Sequence, residues 1–255
     1  MWNFDFDFGN FTKLTKLVIK NCTQDMRKEI NSALGGNISI VCTEEPTEGF
    51  DHVTCYEDEL MGPVLRFFLH STDDDPETTS GDRSRMEMKV FNLSPSQLKA
   101  TENSSFIYSW WFQLNEDLRA VYSFFHIFQL KPVGGRDGNP LMTFTLTNNT
   151  NGLNIRLTQN DQSSWNPYPM IPLRVALGRW IQAFVQVYYS GIDGFVRVIL
   201  KDQNGVQLYD NKISQPMWWS DSTFVRPKWG LYRTKSDFFN DVDWQKFQNI
   251  QIWGL

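Results

Sequence analysis

Between residues 64 and 253 the chain is a succession of short runs rich in β-branched and aromatic residues, each followed by a turn signal. That pattern leaves little room for anything but antiparallel sheet. The runs fall at 64–70, 83–91, 106–114, 124–130, 141–146, 153–157, 180–189, 195–201, 206–210, 228–233 and 247–253. Between them stand Gly134-Gly135, Asp137-Gly138, Asn151-Gly152, Asp193-Gly194 and Asn204-Gly205, dipeptides that supply the backbone angles tight turns need. Gln203-Asn204-Gly205, between two alternating runs, is the clearest hairpin. One short N-terminal helix is expected over about 24–34, with Thr23 as its cap and Gly35-Gly36 as its end. Many strands with few helices imply two packed antiparallel sheets, an all-β sandwich or jelly roll. With no repeat, linker or low-complexity tract, residues 1–255 read as one domain. Two curved sheets of this size leave one concave face open, and that face can hold a polymer.

Three of the runs carry an unusual face. In Arg83-Ser84-Arg85-Met86-Glu87-Met88-Lys89, the residues Arg83, Arg85, Glu87 and Lys89 share one parity, while Met86, Met88 and Val90 share the other. Side chains alternate across a strand, so the charged groups point one way and the apolar ones into a core. An ordinary solvated strand has the same pattern. Here, however, Gln129-Leu130-Lys131 and Lys228-Trp229-Gly230-Leu231-Tyr232-Arg233 repeat it with Gln, Lys and Tyr. A sheet face lined with these groups suits an acidic sugar polymer. His126 lies close to Gln129 but has the opposite parity, and is expected to face the core as a hydrogen-bonded histidine.

The net charge of −5 and the absence of a long basic run argue against nucleic acid, so the excess of Arg and Lys on these strands is a local feature. No stretch approaches the length of a transmembrane helix. The 10 Trp and 20 Phe suit strands and fill a wide sandwich core, with a few left to stack on sugar rings. The first eight residues lack the layout of a signal peptide, so any export signal is expected to have been removed or never to have existed. Asn-X-Ser/Thr sequons begin at Asn10, Asn21, Asn37, Asn92, Asn103 and Asn148 and give mild support to a secreted glycoprotein. Of three cysteines, Cys42 and Cys55 lie in the strand-like runs 37–43 and 52–56, joined by a Glu/Pro/Gly loop. A Cys42–Cys55 disulfide is the first expectation, and Cys22 with either partner the alternative.

The three strands resemble those of the jelly-roll polysaccharide lyases, a group of concanavalin A-like folds. Family 7 alginate lyases carry strand motifs of the form R-(S/T)-E-(L/V)-R, Q-(I/V)-H and Y-F-K-A-G-x-Y-N-Q. Arg85-Met86-Glu87-Met88-Lys89 is similar to the first, with Lys89 in place of the last Arg. Gln129-Leu130-Lys131 is similar to the second, with Lys131 where the His stands. Lys228-Trp229-Gly230-Leu231-Tyr232 keeps the Lys, Gly and Tyr of the third. The chain resembles glucuronan lyases of family 20 and the heparin-lyase-I-like group more closely, through Leu69-His70-Ser71-Thr72-Asp73-Asp74 and the Arg-Pro-Lys-Trp-Gly-x-Tyr-Arg strand at 226–233. The likeness covers roughly residues 64 to 255.

The resemblance implies cleavage of a uronic-acid polymer, foremost β-1,4-glucuronan, by β-elimination. The C5 proton leaves, the C4 oxygen departs, and a C4–C5 double bond forms. The neighbouring carboxylate must be neutralised first, for which Gln129, Arg85 and His70 are the candidates. Tyr232 is the candidate acid and base, because in glucuronate the C5 proton and the C4 oxygen lie on one side of the ring. A phenol titrates near 10 in water, so cations such as Lys228, Arg85 or Lys131 must stand beside it; His70 is the rival base. Arg83, Glu87, Lys89, Lys131, Lys228 and Arg226 are candidate substrate-binding residues, with Glu87 also orienting Arg85 or Arg83. Asp73-Asp74-Asp75 is a candidate calcium loop, though a solvated acidic loop is commoner. Asp243 is a candidate structural calcium ligand by analogy with related sandwiches. No organic cofactor, nucleic acid or membrane partner is expected, and the chain is expected to act as a monomer on an acidic polysaccharide. A carbohydrate-binding module on the same fold is the alternative. A retaining hydrolase is disfavoured, because Glu87 has no second carboxylate in register on its strand.

Overall fold

The computed structural model describes residues 9–35, 42–46, 51–72, 81–120, 123–148, 152–158, 165–235 and 240–255. Two antiparallel sheets face each other. The larger runs in the order β13 (Gln207–Ser214), β12 (Phe195–Asp202), β11 (Ile181–Tyr188), β6 (Ser105–Leu114), β15 (Val242–Gly254), β4 (Gly62–His70), β3 (Val53–Asp58). Its eighth strand, β1 (Thr12–Leu17), lies end to end with β4 along one edge of β15. The smaller runs β10 (Trp165–Pro172), β9 (Gly152–Thr158), β8 (Met142–Thr147), β7 (Phe125–Val133), β14 (Phe224–Thr234), β5 (Arg83–Lys89), β2 (Thr43–Glu44). This is the jelly roll expected from the spacing of runs and turns. The Asn204-Gly205 hairpin is present: Gly205 has φ 83°, and the Asp202 carboxylate accepts from the Asn204 and Val206 amides. Among the described residues no helix is long and apolar enough to cross a membrane.

Aromatic residues fill much of the space between the sheets. Trp110 of β6 meets Phe128 of β7 with ring centroids 4.5 Å apart, Phe144 of β8 at 5.7 Å and Trp229 of β14 at 6.2 Å. An ion pair also spans this interior, from Arg233 of β14 to Asp243 of β15, both almost fully buried. A pair so deep is costly to break, because removing one partner strands the other charge away from water.

Two strands escape a reading by local pattern. β10 carries Pro167, Pro169 and Pro172, which no central strand tolerates; it sits at the sheet edge, where its missing N–H groups cost nothing. β1 lies in the least regular part of the sequence and owes its state to pairing with β15. The helix is shorter than expected, α1 (Met26–Ile30), widening into one further turn through Gly35. Its cap is Asp25, whose carboxylate accepts from the Arg27 and Lys28 amides, whereas the Thr23 hydroxyl is bound to Asn21.

The expected cysteine pairing is corrected. Cys22 and Cys55 form the disulfide, with Cα atoms 5.2 Å apart, and Cys42 is a buried free thiol. The reason is topological. The carbonyl of Cys42 accepts from the Lys89 amide, which places it on the smaller sheet, while Cys55 lies in β3 of the larger one. The two runs do not form one hairpin.

A bulge distinguishes the centre of the smaller sheet. Between Trp229↔Phe128 and Tyr232↔His126, Gly230 and Leu231 of β14 oppose the single residue Ile127 of β7. On the other side of β7, Ile127 is the extra residue against β8, whose Phe144 and Thr145 pair with Phe128 and His126. Gly230 has φ 141°, and a Cβ there would stand 2.1 Å from the Met86 carbonyl oxygen. Only glycine fits. We expect Gly230→Ala to cost about 2–4 kcal/mol through backbone strain and overpacking, read as a lowered urea midpoint at unchanged slope.

Candidate active site

The outer face of the smaller sheet holds a cavity of about 430 Å3. The registers arrange its wall in rows that cross the strands. One row runs Lys89, Lys228, Gln129, Thr143, Arg156. A second runs Arg85, Tyr232, His126, Thr145, Asn154. Beyond the first row Arg226 pairs with Lys131, and Arg83 stands at the opposite end of β5. Among the described residues, six cationic side chains line the cavity (Arg83, Arg85, Lys131, Arg156, Arg226 and Lys228) against one carboxylate, that of Glu44. In a chain of net charge −5 this is a concentrated positive field, and it favours a polyanion.

A buried ionic cluster holds the floor. Glu44 Oε2 accepts from Arg85 Nη1 at 2.8 Å and also meets Lys228 Nζ, while its Oε1 meets Lys89 Nζ. Glu87 Oε2 lies 2.7 Å from Lys228 Nζ and 3.9 Å from Arg85 Nε, and its Oε1 accepts from Gln129 Nε2 at 2.5 Å. Three cations thus share two carboxylates, and each long side chain is held at both ends. The cations around Glu44 hold its carboxyl far below the usual range, against the opposing effect of its burial. Glu44 was absent from the sequence reading. It stands on a two-residue strand in the N-terminal quarter, where no motif marked it, and reaches the site only because β2 pairs with β5.

Tyr232 sits half-buried in the middle of the cavity. Its hydroxyl accepts from Arg83 Nη1 at 3.1 Å, and the Arg85 guanidinium lies 4.4 Å from the ring centroid. Lys131 donates from Nζ to the carbonyls of Asp137 and, at 2.8 Å, Gly138. Burial, with Lys228 close by, pulls its amine down to about 8.

Of the residues singled out in the sequence, Arg83, Arg85, Gln129, Lys131, Arg226, Lys228 and Tyr232 line one cavity. Glu87, fully buried, and Lys89 do not line it; they lie behind it, Glu87 against Lys228 and Lys89 against Glu44. His70 does not join them. It is the last residue of β4 on the larger sheet, on the parity of Arg66 and Phe68, opposite the buried Leu65, Phe67 and Leu69, and its ring meets His52 at 5.3 Å. His126 is the reverse correction. It lines the cavity and pairs across the strands with Tyr232, because the bulge at Ile127 resets the alternation and turns Ile127 and Phe128 together into the core. Arg156, on β9, was also missed, since its strand shows no alternation of charged residues.

Asp243 does not fit a calcium ion. Its Oδ2 meets Arg233 and its Oδ1 accepts from Asn240 at 2.9 Å, and among the described residues no cluster of three His, Cys, Asp or Glu side chains could hold a metal. Asp73-Asp74-Asp75 lies outside the described residues.

A jelly roll whose open sheet carries a strongly basic cleft with a central tyrosine belongs among folds that handle acidic polymers. The chain matches the family model described as polysaccharide lyase over residues 7–253, and it belongs to that family. It is a polysaccharide lyase. Several solved structures share the fold. A variant of the family 7 alginate lyase A1-II' in complex with its product is 12% identical, with 94% of each chain covered and a TM-score of 0.58. The alginate lyase PA1167 from Pseudomonas aeruginosa is 13% identical, with 80% of this chain and 86% of that chain covered and a TM-score of 0.53. The alginate lyase vAL-1 from Chlorella virus is 10% identical, with 82% and 90% covered and a TM-score of 0.52. No curated protein matches the sequence.

Two outcomes follow from the electrostatics. Glu44→Gln leaves Lys89 and part of Arg85 without their counter-charge, and we expect a loss of about 3–5 kcal/mol, measured by denaturant unfolding at neutral pH. Glu44 titrates below its unfolded value, so its contribution is complete above about pH 4.5 and is lost as pH falls toward strong acid. Lys131→Gln unfolding experiments read the same direction in an alkaline window. Unfolded Lys holds its proton to about 10.5 and folded Lys131 only to about 8, so this group's contribution to stability rises with pH between those values. Lys131 also loses its charge as pH rises through about 8, so the affinity for an acidic oligosaccharide, measured by calorimetry, should fall there, and Lys131→Arg should remove that step.

Proposed function

We propose that this polysaccharide lyase cleaves a β-1,4-linked glucuronate polymer by β-elimination and leaves a 4,5-unsaturated uronate at the new end. One observation carries the reading. Tyr232, the one tyrosine among the described residues of the cationic cleft, has its hydroxyl held by Arg83 and its ring beside Arg85.

In this reading the uronate carboxylate is gripped by Arg85 and by the amide of Gln129, whose Nε2 is already oriented by Glu87. Neutralising the carboxylate allows negative charge to spread onto it as the C5–H bond breaks. The Tyr232 oxygen, as phenolate balanced by Arg83, takes the C5 proton. The electron pair left on C5 forms the C4–C5 double bond as the C4–O bond breaks, and the same hydroxyl returns the proton to the departing oxygen. One residue serves both steps only where the proton and the oxygen lie on one face of the ring, as in glucuronate. With His70 on the larger sheet, no role for it remains in this scheme. Arg226, Lys131 and Arg156 extend the positive wall to either side and suit further carboxylates along the polymer.

Alginate is the second reading, because solved structures of similar fold are alginate lyases; of its two sugars, mannuronate has the same arrangement at C4 and C5. Guluronate has the anti arrangement and would need a second base. Secretion as a glycoprotein is part of the proposal. It is supported by the disulfide and by the sequon asparagines Asn10, Asn21, Asn92 and Asn103, all exposed.

The test is the ultraviolet absorbance of a C4–C5 double bond conjugated to a carboxylate, followed on glucuronan, polymannuronate, polyguluronate and heparan sulfate. We expect the signal on glucuronan, and a loss of at least about 100-fold for Tyr232→Phe. No signal on any of the four, or an undiminished Tyr232→Phe, would sink the reading.

A further inference from the structure

Resting on the lyase reading, we propose that His126 is a catalytic residue of the cleft: a neutral imidazole that donates a hydrogen bond from Nε2 to the uronate carboxylate, beside the amide of Gln129. The placement follows from the backbone. The bulge at Ile127 puts His126 on the cavity face and opposite Tyr232, with ring centroids 6.0 Å apart. Without the bulge this side chain would point into the core with Ile127 turned out in its place.

The ring is held on its face and at one nitrogen. Phe124 stacks on it with centroids 4.9 Å apart and planes 23° from parallel. Its Nδ1 lies 2.8 Å from Thr145 Oγ1, which lies 2.6 Å from Thr143 Oγ1. Both threonines are fully buried. If Thr143 donates to Thr145 and Thr145 donates to Nδ1, the ring carries its hydrogen on Nε2. That nitrogen belongs to a side chain which lines the cavity and retains 5% exposure there.

The surroundings decide between donor and base. The charged groups that face His126 are Arg83 of β5, Lys228 of β14, Lys131 of its own strand and Arg156 of β9. Tyr232 is its neighbour across the strands. Burial first, and then these four cations, push the imidazolium well below its ordinary range. The one carboxylate of the wall among the described residues, Glu44, is engaged with Arg85, Lys89 and Lys228 and does not offset them. Accepting a proton at this position would add another positive charge to a buried cationic cluster. Donating one hydrogen bond to an anion adds none and draws on the same field. A neutral imidazole used as an electrophile has precedent in the general chemistry of carbonyl activation.

The contribution is also needed. Gln129 has one of its two N–H groups committed to Glu87, so a second neutral donor strengthens the grip on a carboxylate that gains charge as the C5 proton leaves.

Nitrogen NMR of histidine-labelled protein, with the signal of His126 identified by its loss in His126→Gln, tests the proposal directly. We expect a neutral, Nε2-protonated ring at about pH 6.5, where an ordinary imidazole is half protonated. We also expect a shift of that Nε2 signal when glucuronate oligosaccharide saturates the protein. In the ultraviolet assay, His126→Gln, which can place an N–H near the same point, should stay within about tenfold of wild type in kcat/KM, and His126→Ala should fall by about 100-fold. An imidazolium near pH 6.5, an Nδ1-protonated ring or an unmoved Nε2 signal at saturation overturns the proposal. So does a His126→Ala protein of full activity, or a His126→Gln protein as inactive as His126→Ala. The NMR arm reads the histidine whether or not the polymer is cleaved. A wild-type protein that binds the oligosaccharide, moves Nε2 and cleaves nothing overturns the lyase reading and with it the catalytic role, leaving the donor geometry established.

Discussion

The site depends on one electrostatic arrangement, the sharing of Glu44 and Glu87 among Arg85, Lys89 and Lys228. Long cationic side chains facing a cleft would otherwise repel one another and lose a great deal of rotamer freedom when ordered. Two carboxylates behind them supply both the counter-charge and the fixed points. Because the carboxylates are fewer than the cations, the cluster keeps a net positive charge, and Arg83, Arg156, Arg226 and Lys131 add to it around the wall. The cleft is therefore stable when empty and still short of negative charge, the condition under which an acidic polysaccharide is attracted.

The strand plan and most of the cationic wall were legible in the sequence, because both rest on local patterns. Alternation marked Arg83, Arg85 and Lys89 on one face of β5, and Lys228 and Tyr232 on one face of β14, and the pairing of these strands brought the two sets together as the parity implied. What parity cannot reveal is where it breaks. The extra residue at Ile127 has no marker of its own, and the glycine opposite it, Gly230, reads equally well as a family motif or as a loss of strand propensity. The assignment of His126 to the core failed for that reason alone.

Long-range topology hid the remainder. Glu44 and Cys42 lie beside each other in a stretch with little periodicity, and both were displaced in the reading by the assumption that adjacent strand-like runs pair with each other. They do not: the stretch at Cys42 joins the smaller sheet, and the stretch at Cys55 joins the larger. His70 was placed by likeness to a short loop motif, and a short motif carries no information about which sheet its residue ends on. Nearness in sequence to Asp73-Asp74 was no guide to nearness in space to Gln129.

The path of the N-terminal segment has a mechanical consequence. It is hydrogen-bonded to the larger sheet through β1 and β15, cross-linked to the same sheet by Cys22–Cys55, and fastened to the smaller sheet through Thr43, Glu44 and the buried charges they reach. The segment thus acts as a belt drawn from one half of the sandwich to the other. A force that pries the halves apart at this edge must break ionic contacts inside the cleft before it can peel the belt. Damage to the scaffold at this edge would be registered first at the floor of the cationic cleft, while most of the aromatic interior is still intact.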